Sequence, residues 1–264
     1  MLATNLWFPE IKAGSNEDGA PEITAKAAYF VDTQSGKVLY QKNPHEKLPI
    51  ASLTKIMTVI VTLENKKFDD VVNISDHAAS MEPDHMLLIA GEKLTVKELL
   101  YGIFLVSAND AAEALAETST SGRDDFISQM NATAKRLGMN DTLFINPSGL
   151  EEDNRDQHST AYDVALMSRY AIKHFPGVVD ISKTYHIVLP KTSTHQDYEM
   201  YSGINLLTTY SGVVGFKTGY TPEAGLTLVT LARVGGHEVL GVILGSENRR
   251  EEARKLLDYS FSHL

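Results

Sequence analysis

The period of the apolar pattern changes twice along this chain, and that limits the folds open to it. AAYFVD (Ala27–Asp32) and KVLYQK (Lys37–Lys42) read as strands joined by the turn composition TQSG. Near the other end, LTLVTLARV and HEVLGVIL flank Gly235-Gly236. Both turn positions there accept positive φ, which is the signal for a tight hairpin. Between these ends the spacing is helical. Leu53, Ile56, Met57, Ile60 and Leu63 share one face of Ser52–Glu64. Thr95-Val-Lys-Glu98 forms a capping box that opens the helix ELLYGIFLV. NDAAEALAET follows as a second helix, and RDDFISQMNATAKRL as a third, stopped by Gly138. Thr160-Ala-Tyr-Asp163 reads as another capping box, starting a helix that ends before Pro176. ENRREEARKLLDYSFSHL closes the chain as an amphipathic helix with Leu256, Leu257 and Phe261 inward.

Strands at both ends with helices between them predict an α/β (α+β) fold. An antiparallel sheet is built from N- and C-terminal strands and flanked by helices, and an all-helical lobe, roughly residues 75–175, is inserted. Antiparallel pairing is expected because the connections at both ends are hairpins. Residues 1–24 read as a loose lead-in, and residues 25–264 as a single domain.

Composition removes several classes of function. The formal net charge of −10 argues against a nucleic-acid partner, since phosphate binding needs clustered Lys and Arg. With no cysteine, disulfides, thiolate catalysis and Cys-zinc sites are excluded. The nine histidines lack H-E-x-x-H spacing, so neither a metal nor a cofactor is expected. MLATNLWFPEIKAG has no basic segment followed by a long apolar run, so it does not read as a signal peptide. No window approaches the ~18 apolar residues of a membrane span.

Three short segments can carry chemistry. Ser52 and Lys55 lie three apart in PIASLTKIMT, one turn from each other on a helix face. A serine hydroxyl is a weak nucleophile until a base takes its proton. A lysine serves as that base only if burial or a second cation lowers its pKa. S-x-x-K arises by chance about once in a chain of this length, so the pair alone says little. The second segment is VSAND, with Ser107 and Asn109 at a junction of two helices. The competing reading there is helix capping. The third is GFKTGYT, with Lys217-Thr218-Gly219 beside the C-terminal hairpin. A K-T-G triplet is expected in only about one such chain in fifteen to twenty.

The order S-x-x-K, S-x-N, K-T-G is the set found in penicillin-binding proteins and class A β-lactamases. With ASLTKIMT, SANDAA, FINPSGL, STAYD, GFKTGYTPEAG and RREEARKLLDYSF, the chain resembles the low-molecular-weight penicillin-binding proteins. These are the serine-type D-alanyl-D-alanine carboxypeptidases of the peptidase S11 kind. The resemblance covers most of residues 26–262. It implies the penicillin-binding transpeptidase/β-lactamase fold, and a substrate that is a peptidoglycan stem peptide ending in D-Ala-D-Ala.

The resemblance also implies residue roles. Ser52 is the nucleophile, Lys55 its base, and Ser107 a proton relay. Asn109 hydrogen-bonds the substrate amide and Lys55. Lys217 is the second cation, and Thr218 holds the terminal carboxylate, with Arg249 as a further carboxylate ligand. Gly219 permits close approach, and the backbone N–H groups of Ser52 and Tyr220 form the oxyanion hole. β-Lactams are implied as inhibitors, and the compartment as extracytoplasmic. Asn146-Pro-Ser-Gly149 and His158 are expected to be structural.

Two departures from the family stand out. The stretch YSGINLL offers only Asn205 where the family carries an Asn-x-Asn-like segment. Many members also continue into a β-rich domain and a membrane anchor, and the chain resembles their catalytic domain. The rivals are a class A-like β-lactamase, a non-catalytic penicillin-fold binding protein and an unrelated Ser-Lys esterase. The β-lactamase reading requires a Glu-x-x-Leu-Asn loop and S-D-N. Here EEDNRDQHS and S-A-N stand in those places.

Overall fold

The computed structural model describes residues 19–151 and 156–264. Strands β1 (Ala27–Asp32) and β2 (Val38–Lys42) form the first hairpin, and helix α1 (Lys55–Asn65) follows a 3-10 turn at Ala51–Thr54. The inserted lobe contains β3 (Val71–Asn73), α2 (Asp76–Ala79), β4 (Lys93–Thr95), α3 (Val96–Tyr101), α4 (Asn109–Ala116), α5 (Arg123–Leu137) and α6 (Ala161–His174). Next come α7 (Gly177–Ser182), β5 (His186–Leu189), β6 (Tyr198–Tyr201) and α8 (Leu206–Thr209). The chain ends with β7 (Val213–Thr221), β8 (Gly225–Val234), β9 (His237–Ser246) and α9 (Arg249–Ser262).

The five-stranded sheet has the order β2-β1-β9-β8-β7, with every neighbouring pair antiparallel. Gly235 and Gly236, at φ 60° and 85°, make the tight turn between β8 and β9. Successive residues of a strand face opposite sides, so the sheet feeds two cores. Tyr29, Val31, Val229, Leu231, Leu240 and Val242 join α1 and the helical lobe on one side. Phe30, Leu228, Val239 and Ile243 pack against Ala253, Leu256 and Leu257 of α9 on the other. Burying each such side chain contributes about 1.5–3 kcal/mol, so the sheet is the stable frame.

The lobe at roughly residues 75–175, which the sequence pattern predicts to be all-helical, contains a strand, β4. β3 and β4 pair through Val71↔Thr95 and Asn73↔Lys93, and β5 and β6 form a further hairpin beyond α7. These strands are only three or four residues long, too short for a period of two to stand out. The segment ELLYGIFLV also departs from one regular helix: α3 widens into a π-helical turn at Gly102–Val106 that ends at Ser107. Residues 1–18 of the expected lead-in lie outside the described residues. Its remainder is docked rather than loose. Thr24 donates its N–H and hydroxyl to Glu252 on α9, and Ala20 and Ile23 pack against the second core.

Candidate active site

Ser52 sits in the 3-10 turn where the chain leaves the sheet for the helical lobe. The residue before it, Ala51, is held at φ 48°, a left-handed conformation that costs a non-glycine residue energy. Lys55 opens α1 one turn later and is fully buried. Its Nζ donates to Ser52 Oγ at 2.9 Å and to the Ser148 carbonyl at 2.8 Å. Burial lowers the Lys55 pKa from 10.5 to about 7, although the carboxylates of Asp84 and Asp110 act in the opposite sense. The geometry required of an activated serine is therefore present.

Ser107 lies opposite, at φ 61°, closing the π-helical turn. It caps the end of that turn rather than the start of α4, where Ala108 is the N-cap. Lys217, in the centre of β7 and buried, donates from Nζ to Ser107 Oγ at 2.9 Å and to the Thr218 carbonyl at 2.7 Å. Burial, with the cations of Lys55 and Arg249 nearby, holds Lys217 well below its ordinary value.

Asn109 departs from its expected contacts. Among the described residues it makes no hydrogen bond to Lys55, whose bonds go to Ser52 and Ser148. The Asn109 N–H donates to the Asp84 carbonyl at 2.7 Å, and its Nδ2 donates to the Pro83 carbonyl. That leaves Oδ1 buried without a partner. The neighbouring Asp110 fixes the same loop by accepting from Met86 N and Leu88 N at 3.1 and 3.0 Å.

The third wall is the edge strand β7. A Cβ on Gly219 would lie 2.9 Å from Ser52 N, so only glycine lets β7 approach the serine turn this closely. Tyr220, the next residue, is 60% exposed at the sheet edge. Arg249 starts α9 and donates from Nη1 to the carbonyls of Gly219 at 2.6 Å and Thr227 at 3.2 Å. Burial lowers its pKa. Arg249 and Thr218 line a cleft of about 50 Å³ with Gly203, Ile204 and Asn205, so Asn205 does reach this side of the site. The groups gathered here are amines, hydroxyls, an amide and a guanidinium. They suit an anionic, hydrogen-bonding ligand better than a metal ion.

The loop Asn146–Gly149 has a larger part than its sequence suggested. Asn146 Oδ1 accepts from Gly149 N at 2.7 Å, and Thr58 Oγ1 on α1 donates to the Pro147 carbonyl at 2.6 Å. These bonds aim the Ser148 carbonyl at Lys55. Gly149, at φ 85°, lies against the Ala51 carbonyl with no room for a Cβ. N-P-S-G marks a turn in sequence, but nothing local reveals that it closes over a serine almost a hundred residues away. His158, by contrast, takes a structural place, pairing with Leu143 through an isolated bridge. Within the stretch EEDNRDQHS, where a β-lactamase-like loop is sought, residues 152–155 lie outside the described residues.

Comparison with known proteins gives one consistent result. The family model described as D-alanyl-D-alanine carboxypeptidase matches residues 14–248. The D-alanyl-D-alanine carboxypeptidase DacF of Bacillus subtilis is 38% identical over 90% of this chain, which spans 62% of that relative's length. The crystal structure of D-alanyl-D-alanine carboxypeptidase DacD from Francisella tularensis superposes with a TM-score of 0.86 at 30% identity, covering 96% of this chain and 74% of that one. The Streptomyces K15 DD-transpeptidase superposes with a TM-score of 0.85 at 33% identity, covering 92% of this chain and 99% of that one.

Proposed function

The chain belongs to the D-alanyl-D-alanine carboxypeptidase family, and on that premise we propose that it removes the terminal D-alanine from peptidoglycan stem peptides through an acyl-enzyme on Ser52. The observation that carries this reading is the 2.9 Å bond between Ser52 Oγ and a buried Lys55 whose pKa is lowered to about 7. Near neutral pH a substantial fraction of Lys55 is the free amine and accepts the serine proton. The deprotonated oxygen attacks the carbonyl of the penultimate D-Ala. Backbone N–H groups of Ser52 and Tyr220 take the negative charge of the tetrahedral intermediate.

Collapse of that intermediate breaks the peptide bond and needs a proton on the leaving amine. Ser107, held by Lys217 at 2.9 Å, supplies the route. Asn109 Oδ1, buried and unpartnered, accepts the substrate amide N–H. Thr218, Lys217 and Arg249 hold the terminal carboxylate. Water then attacks the ester and frees Ser52, with Lys55 again acting as base. A β-lactam enters as a mimic of D-Ala-D-Ala and leaves a slowly hydrolysed ester on Ser52. Because the substrate is cell wall, the place of work is outside the cytoplasm. Among the described residues no helix is long and apolar enough to cross a membrane.

The test is release of free D-alanine from an N-acylated tripeptide ending in D-Ala-D-Ala. Release by the protein, reduced by about 10³-fold or more in Ser52→Ala, is the expected result. Equal release by Ser52→Ala would remove the serine from the reaction. Adding an amine acceptor distinguishes hydrolysis from transfer, because a new peptide product appears only if the acyl group is passed on.

A further inference from the structure

Where α2 packs on α4, three ligating side chains meet. Glu113 and Glu117 lie one turn apart at the C-terminal end of α4 and its cap, and His77 reaches them from α2. Each offers a donor atom, and these atoms all lie within 4.8 Å of one another. His77 Nδ1 is 2.9 Å from Glu117 Oε1 and 4.0 Å from Glu113 Oε1. Tetrahedral zinc with bonds of 2.0–2.1 Å holds its ligand atoms about 3.3 Å apart, within the span of these separations.

A second observation concerns Glu113 itself. Its side chain has no exposure, and Arg123 Nε donates to Oε1 at 2.5 Å. The other carboxylate oxygen, Oε2, is buried with no hydrogen-bond partner. A buried carboxylate oxygen without a donor is costly, and a cation is one group that satisfies it. Arg123 occupies Oε1, the oxygen that lies 4.0 Å from His77, and Oε2 of the same carboxylate is left without a donor, so the group keeps one oxygen for a metal. His77 is 58% exposed, which leaves an open side for entry and for a water as fourth ligand.

We propose that His77, Glu113 and Glu117 form a binding site for a divalent transition-metal ion of the zinc class, clamping α2 to α4. The three residues are drawn from positions up to forty apart, which is why motif spacing does not reveal the site. The role of the ion is to brace α4, the helix whose first residue is Asn109. Imidazole with two carboxylates favours zinc over magnesium or calcium, which take oxygen-rich shells.

The test is thermal unfolding of the whole chain with zinc chloride, beside His77→Ala and Glu117→Gln. The expected result is a saturable rise in Tm at one equivalent of zinc, lost in His77→Ala and reduced in Glu117→Gln. No rise, or the same rise in both variants, would overturn the site. Cobalt(II) titrated into the unmodified protein gives an independent reading. A visible absorption band of a four-coordinate site, bleached by zinc, is expected, and its absence would count against the proposal.

Discussion

The interior of the sheet and the seam between β7 and the helical lobe are both buried, yet they are built in opposite ways. In the sheet, Val31, Val229, Leu231, Leu240 and Val242 are fully covered, apolar and in regular register. In the seam, the covered groups are Lys55, Lys217, Asn109 and Asp110. The backbone there includes Ala51, Asp84 and Ser107 at positive φ. Each of these features costs stability. The regular sheet and its two cores offset that cost, and the seam uses it to hold a lysine near neutrality beside a serine. The difference predicts that substitutions in the two regions move stability and activity in different combinations.

The largest effect is expected from Lys55→Met, which should slow acylation by benzylpenicillin by about 10³-fold. The same change should favour folding most at low pH. In the unfolded chain Lys55 keeps its proton up to 10.5, and in the folded chain only up to about 7. Between those values the unfolded state binds the extra proton, so wild-type stability rises with pH. The Tm difference, variant minus wild type, should therefore fall as pH rises from 7 toward 10, as calorimetry would read. A constant difference would mean that Lys55 is not held neutral by burial. Leu240→Ala should do the converse. It should cost about 2–5 kcal/mol of stability in denaturant titrations while leaving acylation per folded molecule unchanged. Next in size is the pH profile, in which the wild-type acylation rate should fall about tenfold per pH unit below 7 as Lys55 becomes protonated. The smallest effect is expected from Thr58→Val, which removes the bond to the Pro147 carbonyl. About 1 kcal/mol of stability should be lost. Acylation should slow by less than about tenfold, as the Ser148 carbonyl loses its aim at Lys55.

The same contrast explains what could be read from sequence. Sheet strands and caps follow local rules. The β8–β9 turn at Gly235-Gly236, the capping box of Thr95 and Glu98, and the left-handed Gly138 after α5 all appear where local chemistry puts them. Thr160 caps α6 as expected, but Asp163 turns to Asp141 N and Thr142 Oγ1 rather than back to the cap. The side chains proposed to carry the reaction are legible because their spacing is a motif. Their supports are not. Ser148 reaches Lys55 across 93 positions, and the loop over Asn109 is fixed by Asp110 through backbone groups that no side-chain pattern records. The Asn109–Lys55 bond was expected from family likeness. In this geometry the Ser148 carbonyl takes its place.

The central claim is that Ser52 is the nucleophile and that the seam activates it. Intact mass after incubation with benzylpenicillin, for the wild-type chain and Ser52→Ala side by side, tests this most directly. The account predicts one covalently bound penicillin per wild-type chain, persisting for many minutes, and none on Ser52→Ala. An adduct of equal yield on Ser52→Ala, or none on a folded wild-type chain, would contradict it.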